Sequence, residues 1–342
     1  MSPKSFITLC TLTALTLFSA LFMVAVDRNN NLEIGVGNSA IPKLFDKIND
    51  VKKIQIEHSF GKITLNSGIK NWTVKEASDY AARTSKIKRA ILGLAQLKLR
   101  EPKTKLKDKY SKLELLDPTT MGAKSKRVYL IDNTGQTIGD IIIGKRRPSK
   151  TGSNVGGIYV RFPGQKQTWL AEGDIDISSN ITDWLEQKII NLKSKRIKKV
   201  IIRHENGDIL EVHKRTTEDS IFLLKNIPVN KKITSETEPS TIGKILENLV
   251  LENVKKEASI GSFSSKGSLV ADFSTFDGLF VRLHQFNRDK KFWITIEASG
   301  DHMDAKVINK RTRGWVYQIA DYSGAILMRR VKDFVEDISP KS

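Results

Sequence analysis

One stretch of this chain occurs twice, 146 positions apart, and the repeat limits the fold more than any other feature. Val51-Lys-Lys-Ile-Gln-Ile-Glu-His-Ser-Phe-Gly-Lys-Ile lies over Ile197-Lys-Lys-Val-Ile-Ile-Arg-His-Glu-Asn-Gly-Asp-Ile. Lys52, Lys53, Ile56, His58, Gly61 and Ile63 return as Lys198, Lys199, Ile202, His204, Gly207 and Ile209. Each copy reads as a strand, a turn at glycine and a returning strand.

The correspondence continues downstream. Ile87, Ala90, Ile91 and Leu94 match Ile242, Ile245, Leu246 and Leu249, and the i, i+3, i+4, i+7 spacing predicts one apolar helix stripe in each copy. Thr84 or Ser85, and Ser240 or Thr241, are the candidate N-caps. Val128–Asp132, a turn at Gly135 and Ile138–Ile143 match Leu269–Phe273, a turn at Gly278 and Leu279–Leu283. Each unit is then expected to close on strands and a helix, near Ile181–Leu192 in the first and Gly324–Val335 in the second. Short alternating strands with tight turns predict an α+β fold, two tandem repeats of a mainly antiparallel sheet with helices on one face. The units are expected at 46–192 and 196–338, with residues 28–45 as a polar tether. About 140 residues can bury a core unaided, and the single Cys10 leaves no internal disulfide to assist.

From Phe6 to Val26 no residue is charged. Such a run spans roughly 30 Å as a helix, the thickness of a bilayer's hydrocarbon core. Residues 1–27 therefore read as a cytoplasmic tip and a transmembrane signal anchor. Lys4 and the amino terminus precede the run, while Asp27 and Arg28 cancel after it, so the bulk of the chain is expected in the periplasm of a bacterial inner membrane. A cleaved signal peptide is the competing reading, but its apolar region is about 7–15 residues and ends in a small-x-small site not found here.

Further sequence signatures run through Asn71-Trp-Thr-Val-Lys, Ala81-Ala-Arg, Leu99-Arg-Glu-Pro-Lys, Leu115-Leu-Asp-Pro-Thr and Ile143-Gly-Lys-Arg-Arg-Pro. Tyr159-Val-Arg, Trp169-Leu-Ala, Asp183-Trp-Leu and Gly314-Trp-Val-Tyr-Gln-Ile complete the set. With the anchor and the duplicated unit, this pattern resembles a bacterial envelope family catalogued as domain of unknown function 4340. The resemblance extends over essentially the whole part beyond the anchor. It implies a role as auxiliary component of an ABC-type, gliding-motility-like transport system, and it transfers no catalytic residue.

Motifs that suggest chemistry fail on context. Gly144-Lys-Arg-Arg-Pro-Ser149-Lys150-Thr151 approaches a phosphate loop, but Ser149 replaces the second glycine and Gly152–Gly157 stands where a helix must begin. Ser85-x-x-Lys88, Ser178-x-Asn180 and Lys150-Thr-Gly152 imitate a β-lactamase set in the wrong order. The five histidines, His58, His204, His213, His284 and His302, show no paired metal spacing, and His58 and His204 share one slot of the repeat. Glu172, Asp174 and Asp176 alternate, which points three carboxylates to one side of an extended segment. No cofactor is implied and no catalytic residue is assigned.

Charge is the remaining signal. The chain has 57 Lys and Arg against 38 Asp and Glu, and residues 98–150 concentrate it with 14 positive and 6 negative side chains. Lys103, Lys105, Lys107, Lys109, Arg146 and Arg147 are the candidate surface for anionic lipid or an envelope polymer. Nucleic acid is not expected, since no recognised binding motif is present. The reading is a non-catalytic accessory or scaffold protein whose partners are the inner membrane and the membrane components of an ABC-type transporter. The alternatives are an envelope hydrolase with a site between the repeats and a binder of anionic lipid or polymer.

Overall fold

The computed structural model describes residue 13 and residues 35–69, 71–148, 156–259 and 268–338. By contacts the chain forms two compact units. One gathers the described residues of Met1–Trp72 and Thr84–Ser179, the other those of Thr73–Arg83 and Asn180–Ser342. Both are built mainly from antiparallel sheet with few helices.

In the first unit, β1 (Lys53–His58) and β2 (Gly61–Ser67) form the expected hairpin, with His58 opposite Gly61. Gly61 has φ +135°, which an L side chain rarely adopts. Helix α1 (Thr84–Gln96) follows and buries Ile87, Ala90, Ile91 and Leu94, as the stripe predicts. Then come β3 (Lys98–Pro102), β4 (Lys126–Ile131), β5 (Thr137–Arg147), β6 (Gly157–Arg161) and β7 (Thr168–Glu172). These seven strands lie in the order β2-β1-β4-β5-β6-β7-β3. Alternate residues Ile54, Ile56, Ile63, Leu65, Val128, Leu130, Ile141 and Ile143 are buried, which fixes the register because a one-residue slip would expose them all. The described end of the 28–45 stretch is docked: Ala40, Ile41 and Leu44 are buried, and the amides of Gly37 and Ala40 donate to Leu99 and Leu97.

The second unit repeats the plan. Its strands are β8 (Ile197–His204), β9 (Ile209–His213), β10 (Asn253–Lys256), β11 (Leu269–Thr275), β12 (Phe280–Arg288), β13 (Lys291–Ser299) and β14 (Trp315–Ile319). Their order is β9-β8-β11-β12-β13-β14-β10, with the short strand Leu223–Leu224 beyond β9. Adding seven to each label of the first order produces the second. Strand orders this long coincide because homologous hairpins and crossovers occur in the same sequence.

The structure corrects three helix expectations. Ile181–Leu192 is not a helix: a 3-10 turn at Ile181–Trp184 leads to a strand at Lys188–Ile190 that pairs with Leu249–Val250. Its backbone is taken by neighbours, since Glu186 donates to Ala81 and the Gln187 carbonyl accepts from Leu251. In the second copy the stripe helix shrinks to α2 (Ser240–Gly243). Ile242, Ile245, Leu246 and Leu249 are still buried, but the Leu246 carbonyl accepts from Leu192 and Asn248 turns left-handed at φ +54°. Gly243 is held against Phe222, whose ring carbon would lie 2.2 Å from an added Cβ. Tertiary bonds and a residue of low helix propensity thus end this helix early. The final expected helix also divides. After α3 (Met303–Thr312), it becomes α4 (Asp321–Leu327) and a 3-10 turn at Val331–Phe334.

Among the described residues no helix is long and apolar enough to cross a membrane. Apart from Thr13, the run Phe6–Val26 lies outside the described residues, as does the 149–155 part of the phosphate-loop-like stretch.

Candidate functional site

The six basic residues singled out by sequence fall at two ends of the first sheet. The Lys103 amide donates to Thr168 at the start of β7, and its ammonium pairs with Glu101. Lys105, Lys107 and Lys109 continue from there and are exposed. Tyr110, at the end of that row, is buried and donates its hydroxyl to the Lys166 carbonyl at 2.6 Å. Arg147 instead lies in the cross-strand row Arg147–Gly157–Glu172–Lys98, at the other end of β7. A five-residue strand separates the two ends by about 14 Å. Arg146 is exposed and forms an ion pair with Asp174. Asp176 pairs with the buried Lys86 at 2.9 Å. The alternating carboxylates at 174 and 176 therefore balance cations, with Ile175 and Ile177 buried between and beyond them. Among the described residues no three His, Cys, Asp or Glu side chains gather to hold a metal ion.

The second sheet has a richer polar face. Register places three rows across β8, β11, β12 and β13: Lys199–Ser274–Phe280–Ser299, Ile201–Asp272–Arg282–Glu297 and Arg203–Val270–His284–Thr295. Strand alternation sends these side chains to the face opposite Val200, Ile202, Ala271, Phe273, Val281 and Leu283, which are buried. Asp272 sits at the centre. It accepts from Arg282 Nε at 2.7 Å and Nη2 at 3.3 Å, and from Arg203 Nη1 at 2.5 Å. Burial alone would raise the Asp272 carboxyl, but the hydrogen bonds from Arg282 and Arg203 take it below the usual carboxylate range. The same bond to Asp272 raises Arg282. A depression of about 470 Å³ opens over these rows.

Two positions in the equivalent rows of the first sheet change sign. Position 57 corresponds to 203 in the repeat, and Asp140 opposite Tyr129 corresponds to Arg282 opposite Asp272. Two carboxylates, Glu57 and Asp140, stand where the second unit has two guanidiniums. Asp140 takes both Arg127 Nε at 2.9 Å and Nη2 at 2.7 Å, and Tyr129 donates to Glu57 at 3.0 Å. Burial and the Glu57 acceptor push the Tyr129 phenol up to about 12. The sequence signal for this inversion is the Glu57 to Arg203 mismatch inside the repeat.

Other polar groups serve the fold. Arg196 donates to Asp277 at 2.9 Å and Asp304 at 2.8 Å. Burial alone would lower Arg196, but the hydrogen bonds to Asp304 and Asp277 raise it. A further depression of about 490 Å³ is lined by His284, Thr295, Trp315 and Asn309. The Asn309 amide is spent on both backbone groups of Ala298, at 2.7 and 2.8 Å, which pins α3 to β13. His58 and His204 end equivalent strands in different surroundings: the Nδ1 of His58 accepts from the Phe60 amide, while His204 is buried with Nε2 3.1 Å from the Arg329 carbonyl.

A family model described as Domain of unknown function (DUF4340) covers residues 72–265. No curated protein and no solved structure matches the chain.

Proposed function

Since the chain belongs to the family Domain of unknown function (DUF4340), we propose that it is a non-catalytic accessory or scaffold component of an ABC-type transport complex. In this reading Phe6–Val26 anchors it as a single transmembrane helix in a bacterial inner membrane, and two copies of one ancestral sheet unit stand in the periplasm. The coinciding strand orders support the duplication.

The observation that supports the accessory reading is the mutual pairing of charged groups on the sheet faces: Asp272 accepts from Arg203 and Arg282, and Asp140 from Arg127. Charges held in place by one another suit binding and orientation of a partner.

Crosslinking the full chain in its native membrane and identifying what co-purifies tests the proposal. Membrane-embedded subunits of an ABC-type transporter are the expected partners. Recovery of a soluble, processed chain with no such subunit would sink both the anchor and the accessory role.

A further inference from the structure

We propose that the depression on the second sheet, between Lys199, Arg203, Arg282 and Ser299, binds the phosphate group of a polyol phosphate ester. This goes beyond the transport reading and stands without it.

The argument starts from donors left over. Arg203 spends one nitrogen, Nη1, on Asp272, and Arg282 spends Nε and Nη2. A guanidinium has five N–H groups in a fixed planar fork. Arg203 therefore keeps Nε and Nη2, and Arg282 keeps Nη1, for another acceptor. Their side chains remain 48% and 56% exposed, whereas the Asp272 side chain is 26% exposed. The carboxylate is the more buried partner and holds two more open cations in place. Such positioning lowers the entropy lost when an oxyanion binds.

The walls define the ligand further. Lys199 adds a third cation on the neighbouring row, and Ser274 and Ser299 flank it. Three cations face two carboxylates, Asp272 and Glu297. Asp272 is already bonded to both arginines, so the site favours an anion. Glu297 lies opposite Arg282 on β13 and can only accept. It would repel a second phosphate, but it accepts from hydroxyl groups. Phe280 is 52% exposed at the edge and offers an apolar flank. One phosphate on the arginines with hydroxyls toward Glu297 and Ser299 satisfies every wall, and about 470 Å³ is ample for it. At the equivalent place of the first unit Glu57 and Asp140 replace the two arginines, so this pair of phosphate donors is missing there.

A phospholipid headgroup of the glycerol type and a soluble sugar or glycerol phosphate share this chemistry. The test uses the full chain purified in detergent. It is titrated with glycerol 3-phosphate, and separately with short-chain phosphatidylglycerol against phosphatidylcholine of the same chain length. Saturable binding of either phosphate ester should fall about tenfold or more in Arg203→Gln with Arg282→Gln, since each lost contact is a charge-assisted hydrogen bond. Lys199→Gln leaves the Asp272 ion pairs untouched and should also weaken binding, so a folding defect in the double variant does not decide the matter. Binding of glycerol 3-phosphate assigns a soluble ester. Binding of phosphatidylglycerol alone assigns a lipid headgroup. Equal binding of phosphatidylcholine, binding unchanged in Lys199→Gln and the double variant, or no binding of either probe would overturn the site.

Discussion

Tyr80 stands edge-on to Trp315, their ring centroids 4.9 Å apart and their planes at 82°. The two residues come from opposite halves of the sequence but belong to one compact unit. Tyr80 is almost fully buried and also meets Tyr317 at 6.1 Å. Around it, Ala82 bridges to Leu185, the Arg83 amide donates to Trp184, and the Arg83 side chain bonds Gln187. By contacts residues 73–83 group with the second unit. Tyr80→Ala should destabilise that unit by about 3–5 kcal/mol, the usual cost of emptying a buried aromatic site. Denaturant unfolding followed by tryptophan fluorescence reads this, and an unchanged midpoint would show that the segment contributes nothing.

Acid stability should depend on Asp272. Its folded pKa is lowered, so its contribution is complete above the ordinary value of 3.8 and is lost as pH falls through the folded value. Asp272→Asn should flatten the acid limb of the stability profile. It should also cost about 1–3 kcal/mol near neutrality, because Arg203 and Arg282 then lose the shared negative charge and one of its two acceptor oxygens. Unfolding midpoints measured from pH 7 down to pH 3 check both statements, and parallel profiles for the two proteins would contradict them.

His204 makes a prediction at milder pH. Burial, helped by the charge of Arg330, lowers its pKa from 6.5 despite the Arg329 carbonyl. The neutral ring is the stable form, so its contribution is full above 6.5 and declines as pH falls through the lowered folded value. In NMR titrations His204 should protonate below 6.5. His58 should also titrate low, through desolvation and then Lys126. His204→Gln should remove the part of the second unit's pH dependence that this ring carries. A His204 titrating above 6.5 would refute the account.

The lysine row gives the fourth prediction. Lys105, Lys107 and Lys109 are exposed, whereas Lys103 is paired with Glu101 and Arg146 with Asp174. Reversal of Lys105, Lys107 and Lys109 to Glu should lower the salt needed to elute the solubilised chain from a polyanion column. Lys103→Glu should change it less than Lys105→Glu made singly. The contrast follows because exposed charges act within a Debye length of about 8 Å at physiological salt and paired ones are already compensated. Equal effects from both would mean that the row has no special role.

The sequence by itself determined the elements whose evidence is periodic. Alternation in Val51–Ile63 and Ile197–Ile209 wrote two hairpins, the Gly61 and Gly207 turns closed them, and the stripe of Ile87, Ala90, Ile91 and Leu94 wrote α1. These are local: each depends on which face of a strand or helix can be buried. The repeat, 146 residues apart over the first hairpin, also fixed which hairpins correspond. Elsewhere long-range contacts decided. Ile181–Leu192 and Ile242–Leu249 have helical spacing, yet backbone partners from distant segments captured them as turns and a strand pair. Tyr80 finds its aromatic partners Trp315 and Tyr317 more than 230 residues along the chain, which no local pattern encodes. The charged face around Asp272 was decided in the same way. Arg203, Asp272 and Arg282 are far apart in sequence and meet only because β8, β11 and β12 pair in one register. A charge written on a single strand has no partner until the neighbouring strands are in place.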